Sequence, residues 1–271
     1  MTTVYSSEPE SLRDYFKKVW NYRSMVVILA KRDLKIKYAQ TALGLIWTII
    51  QPLTGLLIFT FFFNEVIKLP GIPDSGYAVF AFTGMTSWYY FSYLVYQAST
   101  SLMNEQDLAQ KIFFPKIILP LSKVLVGFVD FAISMGLLFI LMLIKGILPG
   151  WQIALLPLFI VLNIGVGLSV SIWLSALTIR FRDLHHIVPY VVNFGIWLTP
   201  VFFPATLVPD KFSALLYFNP MAGVVEGFRW SIWEHTDFNP LYFIGIGISL
   251  VFLVLGILYF KKVEDEMIDI I

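Results

Sequence analysis

Trp88, Tyr89, Tyr90, Phe91, Tyr93 and Tyr96 fall within nine residues, with Phe59 upstream and Trp197 downstream. A flat apolar ring with a polar tip suits gripping the C–H faces and hydroxyls of a sugar, and it equally suits the aromatic belt of a membrane interface. Both readings stand for the 88–96 cluster, whereas Phe61 to Phe63, at the end of an apolar run, read as belt. Asp130 is the one ionisable residue set deep in an apolar segment, either a functional charge or a polar tie to a neighbouring helix. Glu226 and Arg229 stand three apart on one face of an amphipathic stretch. His185, His186 and His235 have no carboxylate cluster at ligand spacing, so no metal site is expected. No glycine-rich phosphate cradle of the G-x-x-x-x-G-K-[S/T] type occurs, and Gly165 to Gly167 lie inside an apolar run rather than after a strand. The chain therefore offers no nucleotide site of its own and is not expected to be an enzyme by itself. With no cysteine, disulfides and thiolate chemistry are excluded.

The elements that must position these residues are membrane helices. A chain that is 58% hydrophobic and 14% charged has the composition of an integral membrane protein, not of a soluble domain. Lys31, Arg32, Lys35 and Lys37 stand just ahead of a charge-free run from Tyr38 to Asn64, the pattern of a helix anchored on the cytoplasmic side. The fold class expected is an all-α integral membrane protein of one domain. An interface helix at 8–22 precedes six spans at 43–63, 77–103, 124–144, 153–177, 187–203 and 241–260. Glu8, Glu10 and Asp14 speak against a cleaved signal peptide. At 8–22, Leu12, Tyr15, Phe16 and Val19 share one side and Arg13, Asp14, Lys17 and Lys18 the other. Residues 204–237 are too short and too charged to cross, so they read as an extracytoplasmic re-entrant hairpin. With six spans and both termini inside, the outer side keeps only Lys68, Lys145, Lys211 and Arg229 of the 19 basic residues. A seventh span through 213–233 would export Lys261 and Lys262 and bury Glu226 and Arg229, both costly.

In order, Y-A-Q-T-A-L-G-L-I-W-T-I-I-Q-P at 38–52, K-I-F-F-P at 111–115, L-P at 119–120, R-F-R-D-L at 180–184, N-P-M at 219–221 and E-G-F-R at 226–229 resemble the permease subunits of ABC-2-type transporters that export polysaccharides, such as O-antigen, teichoic acid and capsule. The likeness covers nearly the whole chain. One departure is at the elbow, where Ala39 and Gln40 stand in place of the family's basic position. The resemblance implies a homodimer enclosing one channel in a bacterial cytoplasmic (inner) membrane. It would sit on two copies of a cytosolic ATPase that binds ATP and magnesium, with no cofactor in this chain and no nucleic-acid partner. Asn104, Glu105, Asp107, Lys111, Arg182 and Asp183 would then contact that ATPase, and the 204–237 hairpin would shape the outer mouth. Among membrane lipids, a glycan on polyprenyl pyrophosphate would enter near the elbow. There Lys31, Arg32, Lys35, Lys37, Arg180 and Arg182 could meet pyrophosphate, though inside anchoring explains the same cations. An exporter of small molecules or drugs and a membrane-embedded glycan or lipid enzyme are the other classes weighed. The enzyme lacks clustered carboxylates or histidines, and a secondary transporter would want more than Asp130 at mid-depth.

Overall fold

The computed structural model describes residues 11–39, 44, 46–70, 76–181, 183–233 and 237–270. Every regular element among them is helical. Ser11 opens α1 (Leu12–Asn21), its Oγ accepting from the Asp14 amide at 3.2 Å, and Asp14 adds the acidic first turn that the helix dipole favours. Tyr15 turns inward while Leu12, Phe16 and Trp20 are exposed. The basic stretch continues as α2 (Arg23–Ala39), and residues 40–43 and 45 of the elbow motif lie outside the described residues. Next comes α3 (Ile46–Thr60), which widens into π-helical turns over Phe61–Val66.

The centre of the bundle is α4 (Tyr77–Ser99), packed by α3 and by five later helices. Two short pieces, α5 (Ser101–Asn104) and α6 (Gln106–Lys111), lead to α7 (Ile118–Lys145), against which α2 lies. α7 ends on Gly146 at φ 69°, a left-handed cap that a residue without Cβ adopts at no cost. A 3-10 turn at Trp151–Leu155 opens α8 (Leu156–Arg180), followed by α9 (Leu184–Leu198), α10 (Asp210–Phe218), α11 (Pro220–Ile232) and α12 (Tyr242–Ile270).

The six expected spans are not six equal helices. Among the described residues, four helices are long and apolar enough to cross a membrane: Ile46–Val66, Ile118–Lys145, Trp151–Arg180 and Tyr242–Glu264. The expected span at 77–103 appears as α4, long enough at 23 residues but rich in hydroxyls. Its Thr83 and Ser87 donate to the carbonyls of Val79 and Gly84, and its Ser87 carbonyl accepts from Asn163 of α8. A helix ringed by protein has no need of an apolar exterior. The expected span at 187–203 is α9, whose 15 residues give about 22 Å, less than a bilayer core. It stops because the residue before Pro200 is driven out of helical geometry, and Thr199 sits at φ −109°, ψ 138°.

Candidate functional site

At the elbow, acidic partners engage the cations. Arg32 bonds Glu105 at the α5–α6 corner through both terminal nitrogens, and its Nη2 reaches Asp33 at 2.8 Å. Asp33 also accepts from Lys123 of α7 at 2.5 Å. One turn further along α2, Lys37 pairs with Asp130, which accepts from the Tyr38 hydroxyl at 2.6 Å as well. Asp33 and Lys37 are four apart on α2, and Lys123 and Asp130 seven apart on α7, so both pairs fall on the facing sides of two helices. Asp130 is thereby the acceptor that fixes Lys37, which also sits 5.4 Å from the Tyr93 ring centroid. Lys31 and Lys35 are exposed, as is Arg180 at the end of α8. Arg182 lies outside the described residues.

The aromatics divide. Trp88, Tyr90 and Phe91 are buried, with Trp88 against Phe91 at 5.2 Å and Tyr90 stacked on Phe131 at 4.9 Å while its hydroxyl donates to the Val124 carbonyl. These three rings are interior packing in a single chain. Tyr89, Tyr93, Tyr96 and Phe59 are half-buried, and Trp197 is exposed. Phe59 stacks on Phe202 at 3.7 Å and meets Trp197 edge-on at 6.2 Å. This joins α3 to the end of α9 and the turn after it.

Glu226 and Arg229 do not lie at an aqueous mouth. Asn219 caps α11, its Oδ1 accepting from the amides of Met221 and Ala222, and Pro220 occupies the first turn. The helix then runs into the bundle with both charges buried. Arg229 donates to Glu226 at 2.7 Å and to the carbonyls of Pro200 and Val201 at 2.6 Å each, with a weaker contact to Phe80 at 3.4 Å. Its guanidinium lies 3.5 Å from the Phe80 ring centroid. The burial that counted against a crossing segment is met here by a carboxylate, three carbonyls and a ring face. One side chain thus ties α4, the turn after α9 and α11 together.

The polar corner 104–111 is two short helices around Glu105. Asn104, Asp107 and Lys111 are exposed, as is Asp183 before α9, whereas Glu105 is turned toward Arg32. Sequence reasoning missed what anchors this corner. Glu264 near the end of α12 accepts from the Tyr15 hydroxyl at 2.8 Å and the Lys116 amide at 2.5 Å. Lys116 in turn caps the carbonyls of Ala109 and Ile112. Burial pushes the Lys116 ammonium below the usual lysine range, against the upward pull of the Glu264 carboxylate. No local spacing joins residues 15, 116 and 264. By contrast, Asp33 at one turn before Lys37 was a readable signal.

The family profile described as ABC-2 type transporter matches residues 25–233, from α2 to the end of α11. The chain is 28% identical over 257 residues to an O-antigen export system permease protein of Myxococcus xanthus, covering 93% of this chain and 97% of the relative. It is 27% identical over 255 residues to a protein of the same name from Klebsiella pneumoniae, covering 91% and 95%. Similarity extends to a polysialic acid transport protein of Escherichia coli, at 22% over 257 residues, 90% of this chain and 95% of that one.

Proposed function

The chain belongs to the ABC-2 type transporter family, and from that premise we propose that it is the membrane-spanning permease of an ATP-driven exporter of lipid-linked polysaccharide. The observation that carries the reading is end-to-end likeness to relatives named for O-antigen export and polysialic acid transport, with nine-tenths of each chain aligned. Without a phosphate cradle, the chain takes its driving force from a separate ATPase, two copies beneath a homodimer, which binds ATP and magnesium. The membrane is the bacterial cytoplasmic one, and both termini face inward. α4 and α9 complete six spans inside the dimer, where the short α9 and the hydroxyl-rich α4 are shielded from lipid. α10 and α11 form the re-entrant hairpin at the outer end, braced by Arg229.

Exposed apolar faces support a second copy as the missing wall. Ile46, Trp47, Ile50 and Leu57 on α3, and Tyr190, Phe194, Trp197 and Leu198 on α9, are exposed large apolar side chains. Trp197, Phe59, Tyr89, Tyr93 and Tyr96 are the rings that reach or approach the surface, and they line the glycan path. Lys31 and Lys35 meet the lipid pyrophosphate first. Arg32 and Lys37, held by Glu105 and Asp130, keep α2 against the polar corner and α7. Asp107, Lys111 and Asp183 dock the ATPase.

Co-purification tests this. The chain retains a cytosolic ATPase whose turnover rises when lipid-linked glycan is added. Asp183→Ala weakens that pairing with the fold intact. Glu105→Ala weakens it only together with thermal stability, because it also unpairs Arg32. Glycan transport by the chain alone in sealed vesicles would end the reading.

A further inference from the structure

We propose that the end of the bundle opposite the elbow holds a binding site for a phospholipid with an ammonium-bearing headgroup. The site is a cavity of about 620 Å³ lined by Leu158 and Phe159 of α8, Trp230 of α11, Asp237 and Phe238 in the segment before α12, and Phe243 in its first turn. It lies at the end of α12 away from the cytoplasmic cations. From Tyr242 to Glu264, which binds Tyr15 and the Lys116 amide, α12 rises about 33 Å.

The walls are rings set at steep angles. Trp230 stands perpendicular to Phe159, with centroids 6.4 Å apart, and inclines by 32° to Phe238 at 5.7 Å. Phe238 meets Phe159 at 63° and Phe243 at 66°. Phe159 is 1% exposed and floors the cavity, so Trp230 and Phe238, both half-buried, and the exposed Phe243 are the rings whose faces a cation can approach. Asp237 is exposed at this cavity, and among the described residues its carboxylate has no hydrogen bond or ion pair. A ligand carrying positive charge answers both features. A phosphate alone would be repelled by Asp237, and a neutral sugar would leave the carboxylate without a counter-charge.

The surroundings identify that ligand as a lipid rather than a free amine. Trp151, 70% exposed and 6.2 Å from Trp230, marks headgroup depth. Beyond the cavity, Val161 on α8 and Ile248 and Val251 on α12 are exposed, giving an acyl chain apolar surface to follow. The headgroup nitrogen rests among Trp230, Phe238 and Phe243 beside Asp237, and the phosphate points outward to water. None of this depends on what the protein exports.

Native mass spectrometry of the delipidated full-length chain tests the site, titrated with phosphatidylethanolamine, phosphatidylcholine and phosphatidylglycerol of identical acyl chains. The two ammonium lipids are expected to be retained about five- to thirty-fold more strongly than phosphatidylglycerol, the range that one to two kcal/mol of cation–π attraction gives. Asp237→Asn removes a surface charge with no partner, so it leaves the fold intact and lowers that preference by up to about five-fold, the factor that an exposed charge pair carries. Trp230→Ala weakens retention of both ammonium lipids. Equal retention of the three lipids, an unchanged preference in Asp237→Asn, or displacement of phosphatidylethanolamine by a lipid-free oligosaccharide would overturn the assignment.

Discussion

Replacing Arg229 by methionine keeps the volume of the side chain and deletes its charge and donors, which makes it a sharp probe of how α4, α11 and the turn after α9 are held together. Arg229 is 1% exposed. Its loss strands the Glu226 carboxylate in the interior and leaves the carbonyls of Pro200 and Val201 without that donor. Breaking a buried pair from one side costs about 3–5 kcal/mol, and a dried carbonyl costs about 1 kcal/mol or more. Because these terms share one site and do not add fully, the expected loss is about 4–6 kcal/mol. Glu226→Gln is milder at about 1–3 kcal/mol, since an amide oxygen still accepts from Arg229 and the carbonyls keep their donor. At about 2–4 °C per kcal/mol for chains of this size, Arg229→Met should lower the apparent Tm by about 8–24 °C and Glu226→Gln by clearly less. Size-exclusion chromatography of detergent-solubilised protein after graded heating reads both values at one scan rate. If Arg229→Met matched the unmodified protein, or Glu226→Gln proved the worse of the two, the staple would be refuted.

Reversing the elbow pair should show coupling. Asp130→Lys lowers stability by setting two cations together, and adding Lys37→Asp recovers more than half of the loss in the same heating assay, whereas independent sites would recover none. Gly84→Ala should destabilise, because a Cβ there would stand 2.7 Å from the Val201 carbonyl oxygen and 2.9 Å from Arg229 Nη2. Gly136→Ala meets nothing within 4 Å on α7 and should be neutral or stabilising by about 0.5–1 kcal/mol; equal effects of the two alanines would contradict the packing at α4. As the chain has no cysteine, single cysteines report access cleanly. Trp197→Cys should react with a water-soluble maleimide in the folded protein and Tyr90→Cys should not, and labelling of Tyr90→Cys at a similar rate would place that ring on the path.

Much of the architecture was written locally. The apolar runs that became α3, α7, α8 and α12 were legible because a lipid-facing helix must be hydrophobic on its own outer surface, whatever it packs against. The helix at Leu12–Asn21 was legible from the alternation of Leu12, Tyr15, Phe16 and Val19 with charges, and Ser11 caps it within the expected 8–22, of which 8–10 lie outside the described residues. The helical pair α10 and α11 fell inside the irregular 204–237 stretch because Pro200, Pro209 and Pro220 punctuate it visibly.

What composition determined by itself was therefore the solvent: a chain of membrane helices with a basic elbow. Tertiary structure decided which charges are paid for. The depth of Asp130 was plain, but not that Lys37 and Tyr38 from a helix 92 residues away would neutralise and bond it. Glu226 and Arg229 looked too polar for the interior, and only the return of the Pro200–Val201 carbonyls to their side makes burial tolerable. α4 looked like any span until its hydroxyls proved to face other helices. Hydrophobic transfer acts residue by residue and can be read along a chain, whereas satisfaction of a buried polar group needs a partner fixed in space, and that partner's position exists only once the chain has folded.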